Sequence, residues 1–256
     1  MARRRSSKRG PDHSGIVWMV GLVALAVAVV AGWWMLSGQK KAHETNELGC
    51  LKNGDPPSSV LFMVDTTDRL SPAVAKYVVD TIKQDEARLP QYSRVIIVPF
   101  GDDTSAPLSP LFSKCLPGRN AGFDQNQRLV EQAYKEFEGS LDDLQGKLEN
   151  LDASHTSPIS AQIVRAAGDP ILKWVGDQRT LVVITDGLES SIYWTKRLRL
   201  APPPAGLLNG VKIEYVELGN AKAARLQSNQ MRDQWRGWFE QAGGSVRMTA
   251  PGYPAN

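Results

Sequence analysis

The chain has 256 residues, 42% of them hydrophobic and 22% charged, with two cysteines, three histidines and a formal net charge of +3. The charge is unevenly placed: residues 1–41 carry seven basic residues against Asp12, about +6, which leaves the remainder near −3. The 30 Lys and Arg therefore do not describe a nucleic-acid binder, and Cys50 and Cys115 with scattered His43 and His155 do not make a zinc site.

Residues 1–14 open with "MARRRSSKRG", a basic tail. The apolar run of residues 15–36, "GIVWMVGLVALAVAVVAGWWML", follows. About 22 residues at 1.5 Å each give roughly 33 Å of helix, enough for a hydrocarbon core of about 30 Å. Trp18 lies near one end and Trp33 and Trp34 near the other, as expected of rings at two headgroup levels. A cleaved signal peptide is the rival reading. Its apolar region spans about 7–15 residues and ends at a small-residue site, which Trp33, Trp34 and Met35 do not provide. The expectation is one transmembrane helix with its amino terminus in the cytoplasm, since five basic residues precede the span and only Lys40 and Lys41 follow closely. In a bacterial setting that is the inner membrane, with the rest of the chain periplasmic.

Residues 37–58 are polar and turn-rich and read as a linker. Cys50 and Cys115 fall on the exported side, where they are expected to pair, closing about 65 residues and contributing about 4 kcal/mol. Residues 59–250 then suffice for one domain with a full core. Four apolar runs predict strands: "SVLFMV" (59–64), "RVIIVPF" (94–100), "TLVVITD" (180–186) and "VKIEYVEL" (211–218). The first three lack polar alternation, as in a parallel sheet covered on both faces. A short "SVRM" (245–248) is expected at an edge.

Helical patterns alternate with these strands. Ser71 and Pro72 read as N-cap and first helical position. A second helix is expected over 159–174, bent or divided at Pro170, and a third from about Ala221, with Trp235, Trp238 and Phe239 on a core-facing stripe. Residues 101–156 are an insertion: a loop, then a helix with Val130, Ala133, Phe137, Leu141, Leu144, Leu148 and Leu151 on one side. It packs on the sheet or receives a partner. The alternation predicts an α/β fold, a doubly wound and mostly parallel sheet.

Two of the strands end in acids, "MVD" at Asp65 and "ITDG" at Asp186, at the sheet edge where such folds bind ligands. With Thr67 in "DTTDR" and Thr156 in "SHTSPIS", this ordered set resembles the von Willebrand factor A domain family over roughly residues 58–250. In that family a D-x-S-x-S loop, a Thr from a later loop and an Asp in a T/S-D-G context form a metal-ion-dependent adhesion site. The resemblance implies Asp65, Thr67, Thr156 and Asp186 as metal ligands for Mg²⁺, with Asp68 and Arg69 beside them as binding residues.

Arg69 departs from the pattern. It stands where the family has Ser and brings no oxygen to an ion that wants an octahedron of them. Either it serves as internal counter-charge to Asp65 and Asp186, which leaves a degenerate, metal-free site, or it points away into the next helix and leaves room for an ion. The resemblance implies a protein-interaction module in a cell-envelope assembly. The runner-up is a structural accessory membrane subunit with an inert strand-end site. A metal-dependent phosphotransferase or hydrolase is disfavoured, because Thr67 occupies the position of the second acid and a hydroxyl cannot transfer protons near neutral pH.

Overall fold

The structure is a computed structural model that describes residues 14–39, 45–102, 104–105, 107–118, 127–191, 199–220 and 225–249. The chain divides into two compact units, one around the first helix and one holding the α/β body. The basic tail at 1–13 and part of the linker, 40–44, lie outside the described residues.

In the first unit, α1 spans Ser14–Gln39. Its described side chains, 18–34, include no charged residue, and the large apolar ones stand open, from 59% at Val23 to 77% at Trp34. Among the described residues no helix is long and apolar enough to cross a membrane. The side chains of α1 are described only from Trp18 to Trp34, although its backbone continues beyond both ends.

The second unit is a six-stranded sheet with helices on both faces. In chain order it comprises β1 (Ser58–Asp65), α2 (Pro72–Glu86), β2 (Arg94–Phe100), β3 (Phe112–Cys115), α3 (Gln127–Glu149) and α4 (Ile159–Gly168). These are followed by β4 (Gln178–Thr185), β5 (Val211–Glu217), α5 (Asn229–Gln241) and β6 (Ser245–Thr249). The strand order is β3-β2-β1-β4-β5-β6, parallel except for the antiparallel β2–β3 pair. This is a doubly wound α/β arrangement.

Burial explains why these sequences became these elements. β1 is buried at every position, so both of its faces are apolar and alternation disappears. On one face, Leu61, Met63, Leu181 and Tyr215 meet Ile163 of α4 and Trp235, Trp238 and Phe239 of α5. On the other, Phe62, Val64, Ile97 and Val182 meet Val78 and Ile82 of α2 and Phe137, Leu141, Leu144 and Leu148 of α3. The stripe of the insertion helix from Phe137 to Leu148 thus joins the core, with Leu151 packed against it, whereas Val130 is half-buried and Ala133 exposed because the first turns of α3 lie beyond the core. The aromatics of α5 do the same, with Trp238 set edge-on to Phe239 at 5.4 Å.

Several boundaries differ from expectation, each for a local reason. α4 stops at Gly168 because Pro170 disfavours helical backbone at Asp169, and Leu172 and Trp174 reach the core from turns instead. α5 begins after Ser228, whose hydroxyl accepts from Met231 N, while Ala221, where a start was expected, lies outside the described residues. Leu226 therefore lies ahead of the helix and is exposed. The insertion also holds β3, which the sequence pattern did not announce. α2 does start as its residues suggest, with Ser71 Oγ accepting from Val74 N at 3.3 Å and Pro72 in the first turn.

Cys50 and Cys115 form a disulfide, with an S–S distance of 2.02 Å. It ties the segment before β1 to the end of β3.

A candidate recognition rim at the strand ends

Because β1, β4 and β5 are parallel neighbours, their carboxyl ends share one edge of the sheet. The register aligns Val64 with Ile184 and Thr185 with Glu217, so Asp65 ends β1 beside Thr185 at the end of β4. Asp65 is 4% exposed. A carboxylate at that depth must be paired or hydrogen-bonded.

It is hydrogen-bonded on every side. Oδ1 accepts from Thr67 N at 3.0 Å and from the Thr67 hydroxyl. Oδ2 accepts from Ser157 Oγ at 2.6 Å and Thr185 Oγ1 at 2.6 Å. The Thr185 hydroxyl accepts in turn from Gly187 N at 3.0 Å. Four donors on two oxygens fill the acceptor sites of an ionised carboxylate.

Two loops are held in place to make this possible. Ser157 N donates to Ser190 Oγ, and Ser190 N donates back to Ser157 O at 3.0 Å. Glu189, buried, accepts from Ser160 N at 2.8 Å and so caps α4, whose N-cap Pro158 offers no side-chain acceptor. Burial pushes the Glu189 carboxyl above its usual range. Nearby, Thr66 N donates to Phe100 O and Ser154 N to Thr66 O. A Cβ at Gly101 would lie 2.5 Å from Ser154 Oγ, so that close approach requires glycine.

Asp186 lies just past β4 and is half-buried. Its Oδ1 accepts from Leu188 N at 2.9 Å, and its Oδ2 from Asn220 Nδ2 at 2.7 Å. Asn220 also donates to Asp68 Oδ2 at 3.3 Å, bridging two carboxylates. Gln227 secures the same loop by donating to Asp186 O and Leu218 O while accepting from Asn220 N. Desolvation, with smaller pushes from Asp65 and Asp68 against the two hydrogen bonds, raises the Asp186 carboxyl to about 6. Gly187 follows at φ +78°, and a Cβ there would meet Tyr215 Oη at 2.4 Å. That hydroxyl is fully buried without a hydrogen-bond partner among the described residues. Burial first, then Glu217, Asp186 and Asp65, push its pKa well up.

The residues singled out in the sequence thus separate into two groups. Asp65 and Thr67 meet directly, and Asp186 joins the same rim. Thr156 is exposed, and its neighbour Ser157 supplies the hydroxyl to Asp65. Asp68 and Arg69 are exposed. Arg69 forms no ion pair with Asp65, Asp68 or Asp186 among the described residues. Sequence reasoning missed Ser157, Thr185, Glu189 and Asn220. Only Thr185, inside "TDG", carried a signal.

The donor set does not make the family's full metal cage. Position 69 gives no oxygen, Thr156 is turned out, and both oxygens of Asp65 and of Asp186 already accept hydrogen bonds. Among the described residues no group of three His, Cys, Asp or Glu is arranged to hold a metal ion.

No protein-family model matches the chain, and no curated protein matches it. Among solved structures it is similar to a von Willebrand factor type A protein from Catenulispora acidiphila, with TM-score 0.41 and 9% identity over 78% of this chain and 40% of that one. It is also similar to three N-terminal domains of the type V pili tip protein Mfa5 from Porphyromonas gingivalis, with TM-score 0.31 and 12% identity over 55% of this chain and 21% of that one. The chain spans less than half the length of either. At these scores the likenesses carry no argument, and the fold assignment rests on strand order and pairing.

Proposed function

We propose that the chain is a single-pass, membrane-anchored, von Willebrand factor A-like module that binds a protein partner within a cell-envelope assembly. Its amino terminus is cytoplasmic and its α/β unit extracytoplasmic. The observation that carries the reading is the division of labour in one loop. Asp65 and Thr67 are consumed in holding the loop still, while the adjoining Asp68 and Arg69 present opposite charges to solvent. A rigid loop with a charged, solvent-exposed tip is suited to recognition, because little ordering entropy is lost on binding.

In this reading hydroxyls take the place of an ion at Asp65, and no metal is required. The reading is also non-enzymatic. Nucleophilic attack by Asp65 needs a lone pair that four donors already occupy, and Thr67 holds the place of an acid–base residue. For the anchor, the support is the continuous helix α1 and its uncovered apolar side chains.

The test is copurification of the full chain from membranes after crosslinking. Asp68→Arg with Arg69→Glu reverses both tip charges on exposed side chains, and the expected result is loss of the partner with an unchanged melting temperature. Exchanging residues 15–36 for an unrelated span should leave the partner bound. The opposite pattern would establish the runner-up, an accessory subunit that works through its helix.

A further inference from the structure

The segment Thr45–Leu51 is folded back on itself. Thr45 and Leu51 form an antiparallel bridge, Asn46 N donates to Cys50 O at 2.8 Å, and Gly49 N donates to Asn46 O at 2.9 Å. Asn46 Oδ1 accepts from both Leu48 N and Cys50 N, at 2.9 and 3.1 Å. Gly49 takes φ +77° to close the turn. Nearly all of this bonding is internal to the segment.

Its attachment to the sheet is much thinner. β3 is the edge strand, and among the described residues the sheet pairs it with β2 alone. On its free side a single backbone hydrogen bond among the described residues, Cys115 N to Leu48 O at 2.8 Å, reaches the segment. The disulfide to Cys50 lies beside it, with both sulfurs' residues buried, Cys50 at 9% and Cys115 at 3%. One ladder bond cannot hold a short strap against its conformational entropy. The covalent link therefore does the holding.

We propose that Thr45–Leu51 is a strap latched over the free edge of β3 by the Cys50–Cys115 disulfide, and that a dithiol reductant releases it while the sheet stays folded. The exchange is balanced. A thiolate of the dithiol attacks one cysteine sulfur to form a mixed disulfide, and the other sulfur leaves as a thiolate that takes up the proton the attacking thiol gave up. The second thiol of the reductant then closes its own disulfide and frees the first cysteine. Two electrons and two protons pass to Cys50 and Cys115. Release bares the unpaired edge of β3, a template for strand addition that the latched strap covers.

Amide hydrogen exchange on the full chain in detergent, with and without dithiothreitol, tests this. The expected result is at least tenfold loss of protection at Gly49, Cys50 and Cys115, to a level far below that which β1 and β4 retain, and maleimide labelling of both cysteines in the folded protein. Cys50→Ala should reproduce the exchange pattern without reductant, and the reduced native chain provides the same readout if that variant accumulates poorly. Retained protection of the strap in the reduced protein would overturn the proposal. So would protection of β1 and β4 that falls to the level of the strap, because strap and sheet would then open together and the disulfide would not be a latch.

Discussion

Replacing Asp186 by Asn removes one charge from the rim and almost no volume. In the folded chain the Asp186 carboxyl is raised from 3.8 to about 6, which corresponds to about 3 kcal/mol of disfavoured ionisation at neutral pH. Partial contact with solvent trims this to about 2 kcal/mol. The amide keeps an acceptor for Leu188 N but sets an NH₂ group against Asn220, and turning Asn220 over sacrifices its bond to Asp68, about 1 kcal/mol. The net expectation is a more stable protein at neutral pH, by about 1–2 kcal/mol, or roughly 3–6 °C in melting temperature. The sign of the pH dependence follows from linkage. The folded state binds this proton more tightly than the unfolded state does, so the penalty is present above about pH 6 and disappears as pH falls toward 4. Melts of the full chain and of Asp186→Asn in detergent at about pH 7.5, 6 and 4.5 should show a gap that closes on acidification. A variant that is less stable at neutral pH, or a gap that stays constant to pH 4.5, refutes the reasoning and assigns the Asp186 charge a favourable partner.

The other predictions concern the same edge of the sheet. Ser157→Ala should cost about 1–2 kcal/mol by taking a donor from a buried carboxylate, whereas Thr156→Ala should change stability by less than about 0.5 kcal/mol; equal effects would contradict the placement of Ser157. Gly187→Ala should cost more than about 2 kcal/mol, from positive φ and the approach of Tyr215 Oη together, and a neutral result in urea melts would show that the turn relaxes. Millimolar Mg²⁺ should leave the melting temperature unchanged. A rise that Asp186→Ala abolishes would mean that an ion binds there after all.

The strands were legible where both faces of the sheet are covered. β1, β2 and β4 sit at the centre, and their unbroken apolar runs state that position directly. β5 was still recognisable although Lys212 is exposed and Glu214 half-buried, because Val211, Ile213 and Tyr215 keep the core side apolar. β3 was not, since four residues between turn signals carry no period, and its pairing with β2 is a tertiary choice. At the rim, Asp65 and Asp186 were visible as acids that end apolar runs. The choice of Ser157 over Thr156 was not, because a one-residue difference in phase is fixed by mutual bonding with Ser190 from another loop. Arg69 had the same difficulty: its residue type permits a counter-charge, and only the structure shows that it is exposed and forms no ion pair with these acids among the described residues. Asn220, from the loop after β5, had no local signal at all.

The latched strap also decides how the body carries load. Cys115 pairs with Arg94, and Arg94 with Ser59, so the latch lies at the amino ends of β1 and β2, the opposite pole from Asp65. A pull on the chain ahead of Thr45 therefore enters at that pole, and it is shared between β1 and, through the sulfur bridge, the β2–β3 edge. A partner gripping the rim would pull at the other pole. Tension then runs along the strands and loads their ladders in shear, where many hydrogen bonds must fail together. A pull applied across the sheet would instead peel them apart one at a time.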